Sequence, residues 1–382
     1  MAPTIPHRIG FDIGGTFTDF VLHHGETGDI SLYKRLTTPE DPSIGAIDGL
    51  KGLVGQVGLS LAEVADIVHG TTLVTNAIIE RKGAKTGLLT TKGFRDVLEA
   101  GREQRYDVHD LFIKYPDPLV ERRYRLEVDE RKSRDGDVIR PLDLDQVARS
   151  VDDLVAQGVE AIAVCFLHSY ANAAHERAVG EFIAKRHPGI FVSLSSDVVA
   201  ELGEYERTCT TCANAFVQPL MDRYLALLER RLADEGFSGR LSLMLSSGGL
   251  TGPETARRLP IRLLESGPAG GGLATAMVGR AAGLPDLISF DMGGTTAKAT
   301  LLENYKAEIA PQLEAGRIER FKKGSGLPIK APVIDMIEIG AGGGSIASID
   351  ELGLMKVGPR SAGASPGPAC YGLGGTDALN SS

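Results

Sequence analysis

The sequence predicts a duplicated α/β fold in which two related units each bring one β-hairpin to a shared cleft. Three observations carry this. Residues 11–22 read FDIGGTFTDFVL and residues 290–301 read FDMGGTTAKATL, with Phe, Asp, Gly, Gly, Thr and the final Leu coinciding at six of twelve positions. Each copy reads as strand, Gly-Gly corner, strand. Between the copies, short apolar runs alternate with helical patterns, as in sheets covered on both faces. A third glycine cluster, GAGGGS at 340–345, follows the apolar run Val333 to Ile339. The offset of 279 residues between the copies excludes a short-period repeat and points to a duplicated domain.

Along the chain, Ser43 to Val57 has helical spacing and stops at Gly58. Asp66 to Val68 reads as a short strand feeding a loop, His69-Gly70-Thr71-Thr72, and Leu73 to Arg81 as a helix. Lys85 to Thr90 is a strand, Asp143 to Gln157 a helix ended by Gly158, and Glu160 to Leu167 a buried strand. Ala173 to Arg186 is helical, Phe191 to Leu194 extended, and Glu206 to Asp234 a long helix with a bend expected at Pro219. Arg240 to Leu245 is a strand, Pro268 to Gly283 a Gly-rich helix, and Leu287 opens the second hairpin. The polar stretch 303–332 is expected to be mobile or to face a partner. The domain boundary is placed near 195–205, giving units 1–200 and 201–382.

The chain has 382 residues, 42% hydrophobic and 24% charged, enough for two or three cored domains. A net charge of −9 without a basic tract argues against nucleic acid as a partner. An anionic ligand must then be held by local N–H groups and a cation. No apolar run approaches the ~18 residues of a membrane span, and residues 1–7 do not read as a secretory signal. Four cysteines are too few for a disulfide scaffold, so a cytoplasmic location is expected.

The corner Asp12-Ile13-Gly14-Gly15-Thr16-Phe17-Thr18 has the chemistry of a phosphate site. Gly14 and Gly15 let backbone approach phosphate oxygens, and the Thr16 and Thr18 hydroxyls can donate to them. A carboxylate at Asp12 would repel phosphate unless a cation lay between, so its natural role is to hold Mg²⁺. One such corner alone could equally be an ordinary hairpin turn. The second copy, Asp291, Gly293, Gly294, Thr295 and Thr296, repeats the device. Two facing corners can clamp a triphosphate with both carboxylates beside one metal, an arrangement suited to phosphoryl transfer. Gly342, Gly343 and Gly344 could pack against the nucleoside. His69 is a candidate for orienting substrate or moving a proton, against a purely structural role. Lys298, at the place of Asp19 in the first copy, could neutralise a transferred phosphate or be a plain hairpin lysine.

Together these segments resemble the two phosphate motifs and the adenosine motif of the actin/hexokinase/heat-shock-protein superfamily, with its ribonuclease H-like domains around a nucleotide cleft. Longer stretches narrow the likeness: HGTTLVTNAIIERKGAKTGLLTTKGFRDVLE (69–99), ELGEYERTCTTCANAFVQPL (201–220), LSSGGL (245–250), ESGPAGG (265–271) and GPRSAGASPGPACYG (358–372). From about Ile9 to Gly375 the chain resembles the hydantoinase A/5-oxoprolinase family. That resemblance implies an ATP- and Mg²⁺-dependent hydrolase subunit that phosphorylates the carbonyl of a cyclic amide such as a hydantoin, 5-oxoproline or another lactam. A hydantoinase B-type subunit would complete ring opening, in a homo- or hetero-oligomer. The alternatives are the ATP-binding subunit of a ketone carboxylase of acetone or acetophenone type and a non-catalytic nucleotide-binding scaffold or inactive fragment. The last residues, PGPACYGLGGTDALNSS, run a Gly-rich loop into polar sequence, and a chain shortened relative to this family is expected.

Cys209 and Cys212 form a CxxC without a second pair or a nearby His, and one helical turn apart they read as core residues rather than zinc ligands. Cys370 is read as structural. Glu201, Glu204, Glu206 and Arg207 either line the cleft or form a solvated helix start.

Overall fold

The computed structural model describes residues 6–102, 105–294, 296–319, 322–350, 352–363, 366–372 and 374–376. Three sheets dominate. The first hairpin comprises β1 (His7–Ile13) and β2 (Phe17–His23), followed by β3 (Ile30–Leu36). Helix α1 (Pro42–Gln56) starts where the Asp41 carboxylate accepts from Ser43 N–H (3.1 Å) and Pro42 presets the first turn. Then come β4 (Val64–Thr71) and α2 (Leu73–Ile79). Strand β4 is longer than expected. It pairs in parallel with β1 through Phe11↔His69, Asp12↔Gly70 and Ile13↔Thr71, so His69-Gly70-Thr71 is sheet, not loop. Cross-strand pairing decides this, and three residues of polar sequence cannot announce it.

A second, all-parallel sheet holds β5 (Thr86–Thr91), β6 (Arg125–Val128), β7 (Ala161–Cys165) and β8 (Phe191–Leu194), in the order β8-β7-β5-β6. Helices α3 (Leu144–Ala156) and α4 (Ala174–Arg186) belong to it. The Asp143 cap starts α3, and Gly158, at φ +79°, follows its end. Strand β7 is wholly buried, which explains its unbroken apolar sequence.

Helix α5 (Glu204–Asp234) runs on through Pro219 and joins the two cores. Cys209, Cys212 and Ala215 pack into the core of the parallel sheet, while Phe216, Val217, Met221 and Leu225 pack under the first hairpin. Cys209 and Cys212 are thus core residues, their thiols pushed up by burial, and Cys370 is exposed. Next, β9 (Arg240–Met244) and β10 (Leu250–Thr251) return to the first sheet, completing the order β10-β9-β4-β1-β2-β3. The chain therefore re-enters this sheet after the division at residue 200 expected above.

Helix α6 (Ser266–Ala282) leads to the second hairpin, β11 (Leu287–Met292) and β12 (Ala297–Glu303). Strands β13 (Lys306–Ala307) and β16 (Ile337–Ile339) both pair with β12. Between them, β14 (Leu313–Ala315) pairs with β15 (Leu327–Ile329). Ala315, Leu327, Ile329 and Ala331 enter the first core, and Lys330 N–H donates to Thr210 Oγ1 (2.9 Å). This corrects the expectation that 303–332 is mobile or partner-facing. Its few apolar residues alternate at strand spacing and are buried despite the charges around them. No helix among the described residues is long and apolar enough to cross a membrane.

Candidate functional site

The two corners are built alike. In the first, Gly14 N–H donates to the Phe17 carbonyl (2.9 Å); in the second, Gly293 N–H donates to the Thr296 carbonyl (3.0 Å). Registers match too: Asp12 faces Asp19 as Asp291 faces Lys298. Each turn closes with its first glycine amide, so Gly14 and Gly293 shape the corner and do not offer that N–H to a ligand.

The corners also meet. A Cβ added at Gly294 would lie 2.3 Å from Thr16 Oγ1, so only glycine admits the first corner here. The third glycine loop docks on the second corner, with Gly343 N–H donating to the Gly293 carbonyl (2.9 Å) and Gly344 N–H to that of Gly294 (2.7 Å). Gly342 N–H is taken by Ser345 Oγ (2.8 Å). These glycines thus reach the site with their amides spent, leaving Cα surface for a ligand. Thr16 is buried against Gly294, and Thr296 is half-buried. Thr295 lies outside the described residues. Thr18 has a different job from the one expected: its hydroxyl is buried 3.0 Å from Thr37 Oγ1, which donates to the Gly14 carbonyl (2.9 Å), so it braces the corner from behind.

Asp12 lies in a glycine cradle. A Cβ at Gly267 would sit 2.6 Å from its Oδ2, and one at Gly70 2.8 Å from its Oδ1. Its Oδ1 is buried with no hydrogen-bond partner in the protein. Burial first, then the charges of Asp291 and Asp19, raise its pKa from 3.8 to about 7, with Lys298 opposing. A buried, unsatisfied carboxylate oxygen next to a second carboxylate fits a cation between the corners. Among the described residues, no three His, Cys, Asp or Glu side chains gather to cage a metal. Two carboxylates suffice for Mg²⁺, which keeps waters and takes its other oxygens from phosphate.

Lys298 is buried and ion-paired with Glu265, beside Asp291 on one strand and Glu338 on the other. Glu265 occupies the left-handed region (φ 57°) as the residue that starts α6, a strained conformation for a residue with a side chain. Ser266 Oγ accepts from Thr71 N–H (2.9 Å) and donates to the Thr71 carbonyl (3.0 Å), fastening α6 to β4. Gly70, Glu265, Ser266 and Gly267 are site residues to which the sequence reading gave no role. The signal was present in ESGPAGG, where a glycine and a proline open a helix, but the contact to Thr71 spans 195 residues and cannot be read locally.

His69 is fully buried, stacked on Phe11 (centroids 4.2 Å apart), with Nε2 2.8 Å from the Tyr224 hydroxyl. Burial lowers its pKa to about 3, so it stays neutral at physiological pH. It lies on the opposite face of the sheet from Asp12, one residue along β1 from its partner Phe11. A proton-shuttling role near neutral pH does not suit this environment; a packing role does.

Comparison with known proteins extends these observations. Family models described as the hydantoinase/oxoprolinase N-terminal region and as hydantoinase/oxoprolinase match residues 8–187 and 207–380. An uncharacterised protein of Methanocaldococcus jannaschii is 39% identical over 96% of this chain and 54% of its own length. Caprolactamase subunit alpha of Pseudomonas jessenii is 35% identical over 97% of this chain and 53% of its own. The structure of nucleotide-free acetone carboxylase, from work on ATP-dependent acetone carboxylation, superposes with a TM-score of 0.83 at 27% identity, covering 97% of this chain and 53% of that one. The chain spans about half the length of these relatives. The α/β class expected from sequence agrees with the folds of these neighbours.

Proposed function

Because the chain belongs to the hydantoinase/oxoprolinase family, we propose that it is the nucleotide-handling part of an ATP-dependent enzyme that phosphorylates the carbonyl oxygen of a cyclic amide. Candidate substrates are hydantoins, 5-oxoproline and related lactams, and a hydantoinase B-type subunit would complete ring opening. The observation that carries this reading is the contact of the two corners, Gly294 against Thr16, with Asp12 and Asp291 beside them and the third glycine loop docked behind. In this proposal Asp12 and Asp291 hold Mg²⁺, which when bound neutralises polyphosphate charge. Gly15, Thr16, Gly294 and Thr296 line the phosphate path, and Gly342 to Gly344 border the nucleoside. Lys298, already paired with Glu265, sets the charge balance around Asp291 and is a weaker candidate for touching phosphate. An unstrained amide is a poor electrophile, and transfer of phosphate to its oxygen makes a good leaving group. The caprolactamase relative supports the cyclic-amide class. The likeness to acetone carboxylase supports a second reading, phosphorylation in a ketone carboxylase.

The test is an ADP-release screen over hydantoin, 5-oxoproline, caprolactam and acetophenone, with and without the B-type subunit. Release that depends on a cyclic amide supports the first reading. Release with acetophenone alone moves the proposal to the second. Nucleotide binding with no substrate-dependent release would leave only the scaffold role.

A further inference from the structure

Arg207, in the first turns of α5, has no part in the proposed function and is fully buried. Its Nη1 donates to the Phe166 carbonyl (3.0 Å), to Ser195 Oγ (3.0 Å) and to Ser169 Oγ, all just past the ends of β7 and β8. Its Nε and Nη2 are buried with no hydrogen-bond partner in the protein. These two nitrogens form the edge that grips carboxylates elsewhere in the molecule. Arg122 holds Asp96 through Nε and Nη2 at 2.7 and 2.9 Å, and Arg186 holds Asp152 at 2.8 and 2.6 Å. Beside Arg207 neither nearby acid does this. Glu204, three residues earlier on the helix, leaves its Oε1 3.7 Å from Nη2, beyond hydrogen-bond reach. Glu176 is committed to the Phe166 amide (2.8 Å), the Ser195 hydroxyl (2.7 Å) and the Ser196 amide (2.8 Å).

The place of this edge in the fold matters. In the parallel sheet β8-β7-β5-β6 the chain leaves β5 for β6 on one side and leaves β7 for β8 on the other. Neighbours β5 and β7 are thus the strands whose following loops diverge. Open parallel sheets bind ligands at such a point, outside the carboxyl ends of the strands. A narrow crevice lies there, lined by Thr90 and Phe94 from β5 and its loop, Cys165 and Leu167 from β7 and its loop, and Glu204 and Arg207 from α5. It belongs to a different sheet from Asp12 and Asp291. We infer that this crevice is a second ligand site, which takes the carboxylate of a small organic acid. The carboxylate binds side-on to Nε and Nη2, and Glu204, 33% exposed, turns to solvent as it enters. One carboxylate replaces another beside the guanidinium, so the local charge is unchanged. Phe94 and Leu167 offer the carbon chain of the acid an apolar wall. Buried guanidinium nitrogens without an acceptor are costly, and this occupant removes that cost. The site stands whether or not nucleotide binds.

The test follows the Arg207 Nε–H resonance of the 382-residue chain by NMR during titration with acetate, propionate, chloride and acetamide. The resonance is assigned by its loss in Arg207→Lys or, if that variant does not fold, by its through-space contact with the Tyr170 ring, which lies 5.7 Å from the guanidinium carbon. Acetate and propionate should move it to saturation, while chloride and neutral acetamide leave it in place. Glu204→Gln, which removes the competing charge at a part-exposed position, should tighten acetate binding at least about ten-fold. No movement with acetate or propionate in either the parent or Glu204→Gln overturns the site. Movement with chloride equal to that with acetate overturns the carboxylate assignment, and unchanged affinity in Glu204→Gln overturns the exchange with Glu204.

Discussion

The two Gly-Gly-Thr hairpins share sequence, register and turn closure, yet one is locked and the other open. In the first, apolar residues are sealed by α1, α5 and β4, and Asp12 is held in a cradle of two glycines with its pKa raised to about 7. In the second, the same positions face outward, and Asp291 is exposed. A local motif thus sets the geometry of a corner, while the elements packed around it set burial and electrostatics. The first corner holds its carboxylate in a glycine cradle with Oδ1 buried, and the second leaves its carboxylate exposed.

The sharpest way to break this comparison is to truncate the paired phenylalanines. Phe11→Ala should cost about 3–5 kcal/mol, whereas Phe290→Ala should cost less than about 1. Denaturant unfolding checks both, and similar losses would mean that the hairpins are equally buried. Next comes the buried carboxylate in metal-free protein. Folded Asp12 keeps its proton up to about pH 7, while the unfolded chain loses it near 3.8. Its contribution is therefore most favourable below about pH 4, falls as pH rises through that window and is level above it. Asp12→Asn removes the penalty, so its stability relative to the parent should rise from near zero at pH 4 to a few kcal/mol at pH 8, on the order of the shift. A difference that does not vary with pH would contradict the burial argument.

A finer probe is Gly267→Ala, whose Cβ would press on the Asp12 carboxylate at 2.6 Å. It should weaken Mg²⁺-nucleotide binding about ten-fold with Tm lowered by only a few degrees, on the scale of overpacking one methyl group. Binding as tight as the parent would show that the cradle does not position Asp12. Smallest of all, Cys209→Ser should cost about 1–2 kcal/mol for a buried hydroxyl. It should leave nucleotide binding and zinc content unchanged, and loss of bound zinc would refute the core assignment.

Much of this was legible in the sequence. The duplicated corner, the third glycine cluster and the major helices carry their signals within a dozen residues each. Turn chemistry, caps and periodicity are local, so Asp41, Asp143 and Gly158 could announce helix ends. What escaped depends on distant partners. His69 reads as a loop residue until β1 pairs beside it, and Thr18 reads as a phosphate donor until Thr37 takes its hydroxyl. Glu265 and Lys298 are 33 residues apart, and nothing between them indicates an ion pair. The packing of 303–332 was hidden because charged residues outnumber the alternating apolar ones that anchor it.

The most direct test is calorimetric titration of Mg·ATP into the parent chain, Asp12→Ala, Asp291→Ala and the double variant. One site per chain is predicted. Each single variant should weaken it at least about 100-fold, and the double variant should do little worse than either, as expected for two groups on one ion. Two independent sites, additive losses, or full affinity in either single variant would show that the corners do not close on one shared metal-bound polyphosphate.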